Sequence, residues 1–91
     1  MYVYLNQFGR TLTSRQNGKE AYAILSSNLS SLDEKEKVEI DFSGVVTFTP
    51  SWGDEVLTPL SQRFGDRVVF LNTENPSVKM TLSILQESRG H

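Results

Sequence analysis

The sequence predicts a small α/β domain, a four- to five-stranded mixed sheet with about three helices in the order ββαβαβα, and three observations carry that expectation. Short β-branched and aromatic runs at Tyr2–Leu5, Arg10–Thr13, Val38–Phe48 and Arg67–Asn72 have the length and residue types of strands. Between and after them, apolar residues recur at spacings of three and four, the period of a helix with one face on a core. Strands alternating with helices imply parallel βαβ units joined by right-handed crossovers.

Taken in order, "YVYL" and "RTLT" are separated by "NQFG", a turn-like connection with Gly9, and read as a hairpin. Ala21, Tyr22, Leu25, Leu29 and Leu32 form one stripe of a first helix over Gly18 to Leu32, which the polar run "SSNLSSLDEKEK" ends. Val38, Ile40 and Phe42 alternate with Glu39 and Asp41, and Val45, Val46 and Phe48 extend the apolar character beyond Gly44, so this is the expected central strand. Trp52, Val56, Leu60 and Phe64 make a second helix that stops near Gly65. Pro59 inside it lacks an N–H and crowds the preceding turn, at a cost of about 3 kcal/mol, so a kink or break is expected there. "RVVFLN" is a nearly continuous apolar run, as in strands covered on both faces or at a sheet centre. Asn75 then caps, and Pro76 opens, a third helix with Val78, Leu82 and Leu85 on its buried stripe.

Ninety-one residues make a single domain over 1–91, with a core drawn partly from five Phe, three Tyr and one Trp. No apolar run approaches the roughly 20 residues that span a bilayer, and the start lacks a secretory pattern, so no membrane role and a cytoplasmic location are expected. Without cysteine, and with its one histidine at His91, the chain cannot build a Cys/His zinc site or a Cys–His nucleophile pair. No metal and no cofactor is expected, and His91 has no role; only the last two residues look free. A net charge of −2 leaves no basic stripe for nucleic acid.

"DFSGV" at Asp41–Val45, "SWGDE" at Ser51–Glu55, "VVFLN" at Val68–Asn72 and the helix opened by "NP" at Asn75–Pro76 resemble, in order and spacing, the STAS-like domains of unknown function of bacteria and archaea. "SRQNG" at Ser14–Gly18 is similar to an element that precedes their first helix. These domains are relatives of the STAS domain, of sulfate transporters and anti-sigma factor antagonists. The resemblance implies a STAS-like sandwich acting as a bacterial regulatory protein-interaction module. The antagonists are phosphorylated on a serine at the start of the helix after the central strand, by small ATP-binding kinases of the histidine-kinase ATPase fold. Where they carry Asp-Ser before a small residue and Gly, this chain has Thr49-Pro50-Ser51-Trp52, so Ser51 and Thr49 both stand as candidate switches.

On their own residues these positions also have structural readings. Ser51 with Asp54 three residues later is close to a capping box. Thr47, Pro50, Trp52, Asp54 and Glu55 are the candidate partner-binding residues; Trp52 is either buried under the loop or an exposed contact residue. Asp54 and Glu55 are not read as a catalytic pair, because helical neighbours point about 100° apart. The alternative is a small-ligand sensor that takes an anion or nucleotide at Asp41, Ser43, Arg15 and Gly18, with Arg10 and Lys19 nearby in sequence. No catalytic residue is assigned, and the expected partner is a protein of the anti-sigma kinase type.

Overall fold

The computed structural model describes residues 1–33 and 35–89, without side-chain detail for 88 and 89; the expectations for Gly90 and His91 lie outside the described residues. The chain runs β1 (Tyr2–Tyr4), β2 (Thr11–Leu12), α1 (Arg15–Leu29), β3 (Val38–Asp41), β4 (Thr47–Phe48), α2 (Pro50–Phe64), β5 (Val68–Leu71) and α3 (Pro76–Arg89), with 3-10 turns at Leu5–Phe8 and Gly65–Arg67. Among the described residues it is a small α/β fold with three helices and five strands, the strands forming two sheets, β1-β3-β5 and β2-β4.

Every strand pairing is parallel, so the expected mixed sheet and its hairpin are replaced. The segment read as a reversing turn, Leu5–Phe8, is a 3-10 turn that carries the chain onward. Beside it, the chain after β3 turns at Phe42–Val45, with Gly44 at φ 81° and the Val45 N–H bonded to the Phe42 carbonyl at 3.1 Å. Both strands of the β1/β3 ladder therefore break together and resume side by side as β2 and β4. The Val46 and Thr47 amides bond to the Arg10 carbonyl, and the Thr49 amide to that of Leu12. An extra strand thus enters the order, ββαββαβα, where a single longer one was expected. Alternation identifies which face a residue occupies but not which strand lies beside it, so pairing direction was open to error.

The outer edge of β4 is closed by α3 rather than by another strand. Ser77 Oγ accepts from the Phe48 amide at 2.9 Å, and the Phe48 carbonyl accepts from Ser77 Oγ at 3.0 Å and Thr81 Oγ1 at 2.6 Å. Two hydroxyls thereby do what a strand backbone would do, which is why Thr81 sits buried on an otherwise apolar stripe.

The helix limits differ from expectation at their starts. Helix α1 begins earlier, at Arg15, because Ser14 Oγ accepts from the Asn17 amide at 3.2 Å. Helix α2 begins at Pro50 and continues without interruption through Pro59 to Phe64, so no break occurs. Asn75 caps α3 as expected, its Oδ1 accepting from the Ser77 and Val78 amides at 2.7 and 3.3 Å. β5 is an edge strand with half-buried residues throughout, not a doubly covered central one; β3 holds the centre. No helix among the described residues is long and apolar enough to cross a membrane.

The core joins Val3, Val38 and Ile40 from one side of the β1-β3-β5 sheet to Leu25 and Leu29 of α1, Val56 and Leu60 of α2 and Val78 and Leu85 of α3. Helix α2 lies between the other two, touching each where a glycine replaces a side chain. A Cβ on Gly18 would lie 2.9 Å from the Trp52 carbonyl oxygen and 3.2 Å from Trp52 Cα; one on Gly53 would lie 2.9 Å from Leu85 Cδ1 and 3.0 Å from Phe48 Cζ. The first pair of obstacles is backbone, which moves only if α1 and α2 separate, whereas Leu85 Cδ1 ends a side chain that can rotate.

Alanine in a helix gains about 0.5–1 kcal/mol over glycine, and overpacking costs about 1–3 kcal/mol. Gly18→Ala is therefore expected to lose about 1–2 kcal/mol net, and Gly53→Ala to stay within about 1 kcal/mol of wild type. Urea unfolding of both variants tests this ordering; an equally stable Gly18→Ala would show that the α1–α2 contact yields easily.

Candidate functional site

The N-terminal end of α2 collects most of the residues singled out from the sequence. Thr49 is the residue before the first helical turn, in extended conformation, and its side chain makes no cap bond. Its Oγ1 donates instead to the Thr13 carbonyl at 3.0 Å, tying α2 to the chain that leaves β2, while its own carbonyl accepts from the Gly53 amide. Pro50 occupies the first helical position and is exposed. Ser51 is therefore inside the first turn and is not the cap; the box expected between Ser51 and Asp54 does not form. Its half-buried hydroxyl has no hydrogen-bond partner among the described residues.

Asp54 and Glu55 face α1. Arg15 Nη1 lies 2.6 Å from Glu55 Oε1 and 3.4 Å from Asp54 Oδ2, and Asp54 Oδ1 accepts from Thr58 Oγ1 at 2.7 Å. The two carboxylates raise the Arg15 pKa further above its ordinary value, Glu55 contributing most. At this degree of exposure the ion pairs add little stability, but they set the direction of three side chains. Trp52 points the other way. It is 1% exposed, with its ring 5.8 Å from that of Phe48 and 6.1 Å from that of Phe8, so it belongs to the core and is not a contact residue. Thr47 is half-buried in β4, where its amide is bonded to Arg10.

A second polar cluster stands where β3 ends. The Asp41 carboxylate accepts from the Tyr2 hydroxyl in a short bond, from the Ser43 amide at 2.8 Å and from Asn72 Nδ2 at 3.0 Å. It is 3% exposed, covered by these partners at the sheet surface rather than by depth. The Tyr2 hydroxyl, then Asn72 and Ser43, hold its carboxyl well below the usual carboxylate range. The same bond pushes the Tyr2 hydroxyl up to about 12, so Tyr2 stays a proton donor and offers no base.

The four residues of the ligand reading thus separate. Asp41 and Ser43 belong to this cluster, Arg15 is engaged by Asp54 and Glu55, and Gly18 is buried under Trp52, where no anion can reach its amide. Tyr2 and Asn72 were missed by sequence reasoning. Tyr2 reaches Asp41 only because β1 lies parallel beside β3, a pairing the residues do not announce. Asn72 left a fainter signal, a polar residue closing an apolar strand, and it adopts the left-handed conformation (φ 57°) that asparagine tolerates better than most residues.

The cluster predicts a pH dependence at both ends, from one interaction counted once. Asp41, depressed in the folded state, contributes stability above the unfolded carboxyl value of about 3.9 and loses it as pH falls further. Tyr2, raised, contributes below about 10 and loses its share as pH climbs through about 12. Tyr2→Phe is therefore expected to be less stable than wild type by a constant margin between pH 5 and 9, with the margin narrowing by pH 3 and again by pH 11.5. Urea midpoints across that range measure it; a margin that narrows at neither end removes the Tyr2–Asp41 bond as its cause.

Among curated proteins and among solved structures nothing matches the chain. A family described as a STAS-like domain of unknown function matches residues 20–78, from within α1 through β3, β4, α2 and β5 to the first turn of α3. The match takes in Asp41, Ser43 and the whole N-terminal end of α2, and leaves Tyr2, Arg15 and the "SRQNG" element outside it. More than half of the sequence is covered, and the chain belongs to this family of STAS-like domains.

Proposed function

We propose that this chain is a non-catalytic regulatory module that docks a protein through the N-terminal end of α2, and that Ser51 is the hydroxyl through which docking is switched. Membership of a STAS-like family supports a regulatory role. The partner suggested by the likeness to anti-sigma factor antagonists is a bacterial cytoplasmic ATPase of the histidine-kinase fold. The observation that carries the choice of residue is the contrast between two neighbouring hydroxyls: that of Thr49 is bonded to the Thr13 carbonyl, whereas that of Ser51 is unbonded among the described residues and lies in the first turn of a helix.

The electrostatics of such a switch are balanced. A phosphate of about −1.5 to −2 charge is favoured at a helix N-terminus by the backbone dipole and opposed by nearby carboxylates. Asp54 and Glu55 are those carboxylates, and Arg15, which neutralises them, is the cation a phosphoserine would compete for. Phosphorylation would accordingly rearrange the Arg15 contacts and change the surface offered to a partner while leaving Trp52 and the core in place.

Incubation with an anti-sigma-type kinase of that fold and ATP is expected to add one phosphoryl mass to the chain, absent from Ser51→Ala and retained in Thr49→Val. Ser51→Asp should weaken binding to the kinase by at least tenfold. A mass gain that persists in Ser51→Ala moves the switch elsewhere; no gain, with binding unaffected by Ser51→Asp, removes the switch and leaves docking to be judged from calorimetry alone.

A further inference from the structure

Parallel sheets are almost always covered on both faces. Here the helices pack against one face only. In the register of β1, β3 and β5, Tyr2, Glu39 and Val69 lie abreast, as do Tyr4, Asp41 and Leu71, so these six share the face turned away from the core residues Val3 and Ile40. Tyr2 and Tyr4 are 46% and 53% exposed, with ring centroids 4.8 Å apart. Val69 and Leu71 are half-buried, yet unlike Val68 and Phe70 they do not pack against the core. Among the described residues, no helix lies over this face.

Its size and charge narrow what fits. Three strands about 4.8 Å apart, the longest of them four residues at about 3.3 Å each, give a footprint of at most roughly 14 by 13 Å. A stable dimer needs about 800 Å² from each partner, several times this footprint, so a second copy has too little surface here. One helix, about 10 Å wide and rising 1.5 Å per residue, crosses it in about nine residues. The charge on the face is acidic. Glu39 stands on the central strand between Tyr2 and Val69 with no ion pair among the described residues, the Asp41 carboxylate lies two residues on, and none of the three strands contains a lysine or arginine. An apolar surface with an unmatched carboxylate at its middle is complementary to an apolar stripe that carries a cation.

We propose that this outer face docks one short amphipathic helix of a protein partner, with tyrosine, valine and leucine receiving its apolar stripe and Glu39 pairing with a lysine or arginine on it. The surface is separate from the N-terminal end of α2 and does not depend on any modification of Ser51.

The test uses two synthetic helical peptides that share a leucine stripe and differ in carrying lysine or glutamate beside it, titrated into the full chain. The lysine peptide is expected to shift the amide NMR signals of β1, β3 and β5, and to bind at least tenfold more tightly than the glutamate peptide by fluorescence anisotropy. Glu39→Lys should reverse that order, and Tyr4→Ala, whose side chain makes no hydrogen bond among the described residues, should weaken both. Equal affinity for the two peptides, an unreversed order in Glu39→Lys, or shifts confined to other surfaces would overturn the proposal. Sedimentation showing a wild-type dimer that Tyr4→Ala disperses would assign the face to a second copy and overturn it as well.

Discussion

Helix α2 reaches α1 only because no side chain stands at Gly18, and Gly53 gives Leu85 of α3 room on its other side. Each glycine occupies the fourth position of its helix, and each lets a neighbouring group approach to a distance that a Cβ would forbid. With α1 and α3 held close on either side, Trp52 has nowhere to go but inward, onto Phe48 and Phe8. Burial of so large a ring then sets the rotation of α2, which in turn directs Asp54 and Glu55 toward Arg15 and leaves Ser51 and Pro50 at the surface. The side-chain arrangement at the proposed docking end is thus a consequence of two missing methyl groups several ångströms away.

The sheets obey a related economy. A parallel ladder that breaks midway creates backbone groups with no strand to bond, and side chains supply the missing partners. Ser77 and Thr81 serve the free edge of Phe48, and Asn75 reaches back to the Val46 carbonyl at 3.1 Å. At the break itself, the Asp41 carboxylate takes the Ser43 amide and fastens β1 and the end of β5 to β3 through Tyr2 and Asn72. This cluster is best understood as the fastening that lets three strands end together. A carboxylate held by three donors is preorganised and costly to displace, which suits structure better than ligand exchange.

How much of this could be read beforehand depended on whether a feature is local. The stripe of α2, the Asn75–Pro76 start of α3 and the strand at Val68–Leu71 are written in consecutive residues, and were legible. Strand direction was not, because "YVYL", "NQFG" and "RTLT" are equally compatible with a reversal and with a 3-10 turn that keeps going. The cap of α2 was misplaced by two residues for a similar reason: Ser51 with Asp54 is a good box in isolation, yet Pro50 already has the backbone angle of a first helical residue and Thr49 the extended one of the residue before it. At the candidate site, the acidic pair was visible but its partner Arg15 lies 40 positions away, beyond any spacing rule. Thr81 could have been found, since it falls three after Val78 and four before Leu85, on the face that had to be buried.

The accounting of polar groups separates the two surfaces by the kind of recognition each can support. Around α2, Asp54, Glu55, Arg15 and Thr49 are already matched to one another or to backbone, so an arriving protein meets few unsatisfied charges there and must compete with internal partners for every one it uses. Under the proposed function, recognition at such a place would be weak until a new charge is added, which is the property a switchable contact requires. On the outer sheet face the unmatched group is built into the fold: Glu39 is set between Tyr2 and Val69 and has no ion-pair partner among the described residues. Burying it against an apolar partner without a cation would cost several kcal/mol, so the proposed docking face would reject most hydrophobic surfaces and accept the few that bring a positive charge to its centre. One surface would then be conditional and the other constitutive, and a module that carries both could remain attached to one protein while its affinity for another is changed.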